Sequence, residues 1–155
     1  MPRVLISVIG GADCSAAEAA VAEQVGAEIA RAGAVLVTGG LSGVMEAVSR
    51  GAHKAGGLVV GILPGGSARD ANRYVDVPVV TGLGDARNVI VAGSGAGVIA
   101  IGGSLGTLTE IAFALKRGIP VVGLGTWELD RVRAGGAEII RADTPKQAVE
   151  IILKR

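Results

Sequence analysis

VIAIGGSLGTLTEIAFALK, residues 98–116, joins a four-residue apolar run to a longer apolar run through glycines and hydroxyl residues. The first run is continuous rather than alternating, which predicts a strand covered on both faces, as in a parallel sheet between helical layers. Residues 105–116 predict a helix. A strand, a glycine turn and a helix in immediate succession form the repeating unit of an α/β sheet.

The same unit recurs on both sides. Strands are expected at 3–9, 34–37, 58–63, 79–80 and 120–124, with a short edge strand at 138–140. Helices are expected at 16–32, 43–55, 85–94 and 145–154, with Val21, Val25 and Ile29 spaced four apart and Pro145 in the first turn of the last helix. Residues 67–76 form a polar loop and 126–137 an irregular segment. Together these predict one domain over residues 1–155, with a Rossmann-like three-layer α/β fold and a mostly parallel sheet.

Composition narrows the function. The 155 residues carry 15 basic and 14 acidic side chains, and Phe, Trp and Tyr occur once each. Near-neutral charge and so few stacking surfaces argue against nucleic acid or an acidic membrane as partner. Residues 88–109 are uncharged but contain six glycines, so they are expected to be a buried segment rather than a membrane span. The apolar run at 4–9 is too short for a signal peptide, and Asp13 spoils a cleavage site, so a cytoplasmic location is expected. Cys14 is alone and reads as an inert thiol. No metal site is expected.

Four glycine-rich turns follow strands: Gly10-Gly11, Gly39-Gly40 with Gly43, Gly65-Gly66, and Gly102-Gly103 with Gly106. Glycine lets backbone N–H groups approach an anion, and a helix beginning there adds its unpaired N–H groups and positive dipole end. A phosphorylated ligand is the natural guest. Thr107 and Glu110 also fit a capping box with Thr107 as N-cap, a structural role that weighs evenly against a chemical one for Glu110. Met45 reads as core or pocket wall. Glu46 either faces the pocket or offsets Arg50, its i+4 neighbour. His53 is expected at the exposed end of its helix, and Arg69 or Arg73 could close over a phosphate.

Residues 38–64 and 85–124 resemble the Lonely Guy (LOG) superfamily of lysine decarboxylase-like proteins. Its hallmark, P-G-G-x-G-T-x-x-E, matches from Gly103 to Glu110, and the arginine of its E-R-K segment falls on Arg87. GVMEAVSRGA and GDARNVI resemble the branch related to molybdenum cofactor carrier proteins. LOG enzymes are nucleoside 5′-monophosphate phosphoribohydrolases, so the resemblance implies a phosphate held by Gly103, Ser104, Gly106 and Thr107, with Glu110 and Arg87 as catalytic pair. Gly11, Gly39, Gly40, Gly43, Met45 and Gly102 complete the expected binding residues. The hallmark proline is Gly102 here, its second glycine is Ser104, and two family glutamates are replaced by Ala86 and Thr109. These departures favour a carrier of a molybdopterin-type cofactor or a nucleoside monophosphate over a hydrolase. A DNA-binding module like that of the DNA-processing protein DprA is disfavoured by charge and composition. The resemblance and the surplus of apolar residues on the helices at 86–94 and 107–116 imply a homodimer or homotetramer, with Arg87 close to the interface.

Overall fold

A computed structural model describes residues 2–155. The chain runs β1 (Leu5–Gly10), α1 (Ala16–Arg31), β2 (Val35–Thr38), α2 (Val44–Lys54), β3 (Val59–Leu63), β4 (Val77–Val80), α3 (Asn88–Ser94), β5 (Val98–Ile101), α4 (Leu105–Lys116), β6 (Val121–Leu124), β7 (Ile140–Arg141) and α5 (Pro145–Leu153). All seven strands lie in one sheet in the order β4-β3-β2-β1-β5-β6-β7, and every pairing is parallel. The expected Rossmann-like α/β fold is present. None of its helices is long and apolar enough to cross a membrane among the described residues.

The burial of the strands follows from their composition. β2, β5 and β6 are buried at every position, because helices cover both faces. Ile6, Val8 and Leu36 pack with α1, α2 and α5 on one face. Ile9, Val37, Val98 and Ala100 pack with α3 and α4 on the other. Ser7, fully buried at the centre of β1, donates its hydroxyl proton to the Val91 carbonyl at 2.6 Å. That bond ties α3 to the sheet and satisfies a group that would otherwise be costly to bury.

Three boundaries differ from expectation for identifiable reasons. β4 reaches back to Val77 across Pro78, which is tolerated because β4 is an edge strand with one side of its backbone unpaired. The expected helix at 85–94 opens as a 3₁₀ turn at Gly84–Arg87, so Arg87 sits at the junction with α3. The last edge strand is displaced to Ile140–Arg141, where Ile140 pairs with Val122.

α1 and α2 meet without side chains between them. A Cβ added at Gly26 would collide with the Val48 carbonyl oxygen, and one at Gly51 with the Glu23 carbonyl oxygen. In an exposed helix, Gly→Ala stabilises by about 1 kcal/mol. Here the sign reverses. Gly51→Ala is expected to lower the unfolding free energy by about 2 kcal/mol through overpacking, and urea denaturation checks it. A variant more stable than wild type would mean the two helices are not this close.

Candidate functional site

Because the strands are parallel, the turns after β1, β2, β3 and β5 converge on one edge of the sheet. β1 and β5 are neighbours there, and chain direction diverges between them, which opens the crevice where such sheets bind ligands.

The turns after β1 and β2 are laced together. Val44 N–H donates to the Gly11 carbonyl at 3.0 Å, and Ser42 Oγ donates to the Ala12 carbonyl at 3.0 Å. A side chain at Gly43 would strike both of those carbonyls, and one at Gly40 would lie 2.7 Å from Leu63 Cδ2. Packing within the protein therefore accounts for the glycine at 40 and at 43. Gly39 is similarly crowded, since its Cβ would lie 2.6 Å from Met45 Sδ and 2.8 Å from Arg87 Nη2. Met45 is buried with its sulfur 3.9 Å from Arg87 Nη2, a wall beneath the guanidinium.

Arg87 is only 8% exposed. Its Nε donates to the Ile62 carbonyl at 2.9 Å, its Nη2 to the Gly39 carbonyl at 3.4 Å, and its Nη1 to Asn88 Oδ1. The ion pairs among the described residues all lie elsewhere. Burial lowers the arginine's pKa, opposed by the negative charges of Glu110 and Asp85. The guanidinium is thus a cation held by neutral carbonyls, close enough to Glu110 to feel it and without a carboxylate in contact.

Glu110 lies one and a half turns into α4. The structure corrects the capping box expected here. Ser104 is the N-cap of α4, and Thr107 takes the third helical position, where its Oγ1 accepts from Ser104 N–H at 3.2 Å. The positive φ angles of Gly102 (53°) and Gly103 (117°) turn the chain so that the helix starts at Leu105. Glu110 therefore has no capping duty. Burial drives its carboxyl up from 4.5 to about 7, with Arg87 pulling the other way.

The turn at 102–106 is braced from one side. Thr126 Oγ1 donates to the Gly102 carbonyl at 2.6 Å, and Trp127 Nε1 donates to the Ser104 carbonyl at 3.1 Å. Gly102 packs against the flexible end of Glu18, whose Oε2 would have to move for any side chain there, and its φ of 53° excludes the family's proline. Gly103 would press a Cβ against Thr107 Cγ2 at 2.5 Å. Gly106 is different. It lies inside a helix, yet the nearest atom to an added Cβ is Ser104 Oγ at 3.7 Å, and nothing in the protein requires glycine.

The remaining expectations divide. Arg50 pairs with Glu23 of α1 at 3.1 Å, not with Glu46, because α1 lies alongside α2. His53 is exposed, as expected. Arg73 donates to the Tyr74 hydroxyl at 2.7 Å with its guanidinium 4.9 Å from that ring, which holds it against the loop rather than over the crevice. Sequence reasoning passed over Asn88, Glu18, Thr126 and Trp127. Ser15-x-x-Glu18 was readable as the capping box that opens α1, but its contact with Gly102 was not. Two surface cavities, of about 730 and 780 Å³, lie outside the Arg87–Glu110 pair: one between α1, α2 and the start of α5, the other beyond the ends of β5 and β6. Cavity size alone does not mark this site.

The molybdenum cofactor binding protein of Rippkaea orientalis superposes with a TM-score of 0.93 at 39% identity, over 99% of this chain and 98% of that one. The molybdenum cofactor carrier protein of Chlamydomonas reinhardtii gives 0.83 at 36% identity, over 99% and 100%. An uncharacterized protein of Archaeoglobus fulgidus is 46% identical over 125 residues, 80% of this chain and 82% of its own. DNA-processing protein A of Streptococcus pneumoniae, at 20% identity and a TM-score of 0.73, shares the fold alone. The sequence profile of the SLOG cluster 4 family matches residues 3–149. With nearly the whole chain matched and molybdenum cofactor carriers among its structural neighbours, this protein belongs to the SLOG cluster 4 family.

Proposed function

We propose that the chain binds a phosphorylated, nucleotide-type ligand at the start of α4 and carries it rather than turning it over, the ligand being a molybdopterin-type cofactor. Gly106 carries this reading. Gly106 stands in the first turn of α4, where alanine would serve the helix better, and no neighbouring protein atom explains the glycine. A ligand seated on the first turn of α4 explains it: phosphate oxygens accept the N–H groups of Gly103, Leu105 and Gly106, which the capping box of Ser104 and Thr107 leaves unused, and a side chain at 106 would intrude. The pterin phosphate of the cofactor fits that cradle. Arg87 adds positive charge beneath the crevice, where Glu110 and Asp85 are close enough to act on it and neither forms an ion pair with it. Ala86 and Thr109 leave out the supporting carboxylates expected of a LOG hydrolase.

Gly106→Val is expected to fold normally and to weaken binding of molybdopterin or a nucleoside monophosphate at least tenfold by calorimetry. Gly103→Val is a poorer probe, since a side chain at 103 would press on Thr107 and strain a backbone whose φ is 117°, disturbing the fold of the turn itself. Undiminished binding by folded Gly106→Val would overturn the cradle.

A second reading, hydrolysis of the N-glycosidic bond of a nucleoside 5′-monophosphate, is favoured by Glu110. A carboxyl group titrating near neutrality could position the water that attacks the sugar carbon as the base departs. Release of free base by wild type, lost in Glu110→Gln, would replace the carrier reading with this one.

The same group has a stability signature. The unfolded chain ionises Glu110 near 4.5, whereas the folded chain holds its proton to about 7. Stability is therefore lost as pH rises through that window, and the loss persists above it. Glu110→Gln is expected to melt higher than wild type by a few degrees at about pH 8, and equally at about pH 4. Equal melting at both would show that burial does not act on this carboxyl.

Assembly belongs to the same proposal. Leu83 and Val89 flank the turn that carries Arg87 and are 54% and 45% exposed. A second copy covering them would form a homodimer or larger, next to the site. Light scattering should give twice the 15.3 kDa chain mass or more, reduced by Val89→Asp. A monomeric wild type would refute it.

A further inference from the structure

On the other flank of the Gly102–Ser104 turn, a cavity of about 780 Å³ opens where β5 and β6 end. Its floor is aliphatic, formed by Val21 of α1, Ile101 and Leu124 at the strand ends, and Ile139. Trp127 and Glu18 also line it. Both are tied to the turn that starts α4. The indole N–H of Trp127 donates to the Ser104 carbonyl, and the Glu18 carboxylate lies against Gly102.

The polar groups are not equivalent. Glu138 is engaged by Arg131 at 3.6 Å. Glu18 is half-buried and uses Oε1 to accept from Ser15 N–H at 3.0 Å, which leaves Oε2 facing Gly102 and the cavity as a free acceptor. Glu128, Arg141 and Asp143 line the cavity as well, but Glu18 is the acid held in place beside the α4 turn. An aliphatic floor, an anchored indole and that oriented carboxylate oxygen describe a compartment for a flat ring that presents N–H donors. A ring with adjacent ring N–H and amino donors matches that acceptor better than one whose corresponding edge only accepts.

We propose that this cavity holds the aminopyrimidinone ring of a pterin- or guanine-type ligand whose phosphate occupies the α4 cradle, with Trp127 against the ring and Glu18 accepting from its N–H edge. This rests on the phosphate reading above and extends it to the rest of the ligand. Trp127 is bonded to the Ser104 carbonyl, on the same turn whose N–H groups form the cradle, so ring and phosphate sites adjoin.

Trp127 is the only tryptophan in the chain, so its emission reports on this cavity alone. Wild type, Glu18→Gln and Gly106→Val are titrated with GMP, AMP, molybdopterin and inorganic phosphate, following fluorescence and heat in parallel. GMP and molybdopterin are expected to quench Trp127, and phosphate to leave it unchanged. Glu18→Gln keeps the helix cap, since glutamine also serves there, so melting should not move. Its affinity for GMP should fall about tenfold, as expected for loss of a charged acceptor, with little change for AMP. GMP heat that Gly106→Val abolishes, combined with unchanged Trp127 emission and unchanged Glu18→Gln affinity, would overturn the cavity and leave the cradle standing. No heat from any of the probes would overturn both.

Discussion

Backbone packed directly on backbone is the constraint from which the rest of this structure follows. Glycine supplies 26 of the 155 residues, and several sit where a single carbon would collide with a neighbouring main chain. Gly26 and Gly51 let α1 and α2 touch, and Gly43 settles onto the Gly11 and Ala12 carbonyls. The two helices are drawn tight together, and the turns at the carboxyl edge are held by main-chain contacts and by side chains bonded to their carbonyls, among them Ser42, Arg87, Thr126 and Trp127. A crevice built this way keeps its shape without a guest. Its N–H groups are aimed before anything binds, which reduces the ordering cost of binding.

Electrostatics at that edge is unbalanced by design of the fold. Arg87 is charged, buried and satisfied by carbonyl oxygens, while burial holds Glu110 partly protonated near neutrality. The start of α4 adds its own partial positive charge. The three together favour an anion. An anion bound there would raise the proton affinity of Glu110 further, so that the acid would yield to it instead of repelling it.

Much of this was legible. Continuous apolar runs disclosed the parallel sheet, and most element ends fell within two residues, because burial on both faces leaves so plain a pattern. The span from Gly103 to Glu110 and Arg87 reaches one edge of the sheet, as the motif spacing implied. The N-cap of α4 was not legible. Ser104 and Thr107 both stand before plausible helical turns, and the choice between them rests on backbone angles at Gly102 and Gly103 that spacing does not encode. Arg50 chose Glu23 over its helical neighbour Glu46 because tertiary packing outranks an i+4 pair. Nor could spacing tell a glycine with open space beside it, such as Gly106, from glycines pressed against protein, such as Gly40 and Gly43.

The contact between Glu18 and Gly102 reaches beyond this one chain. Two positions far apart in sequence occupy one volume, and Glu18 keeps its carboxylate in that place only while 102 has no side chain. A relative with proline at the equivalent of 102 must bend that turn differently, and the flexible end of its residue at 18 must swing aside. The start of the first helix and the turn before the fourth are thereby coupled. Exchanging the glycine motif between branches of the superfamily would also reset the carboxylate that opens α1.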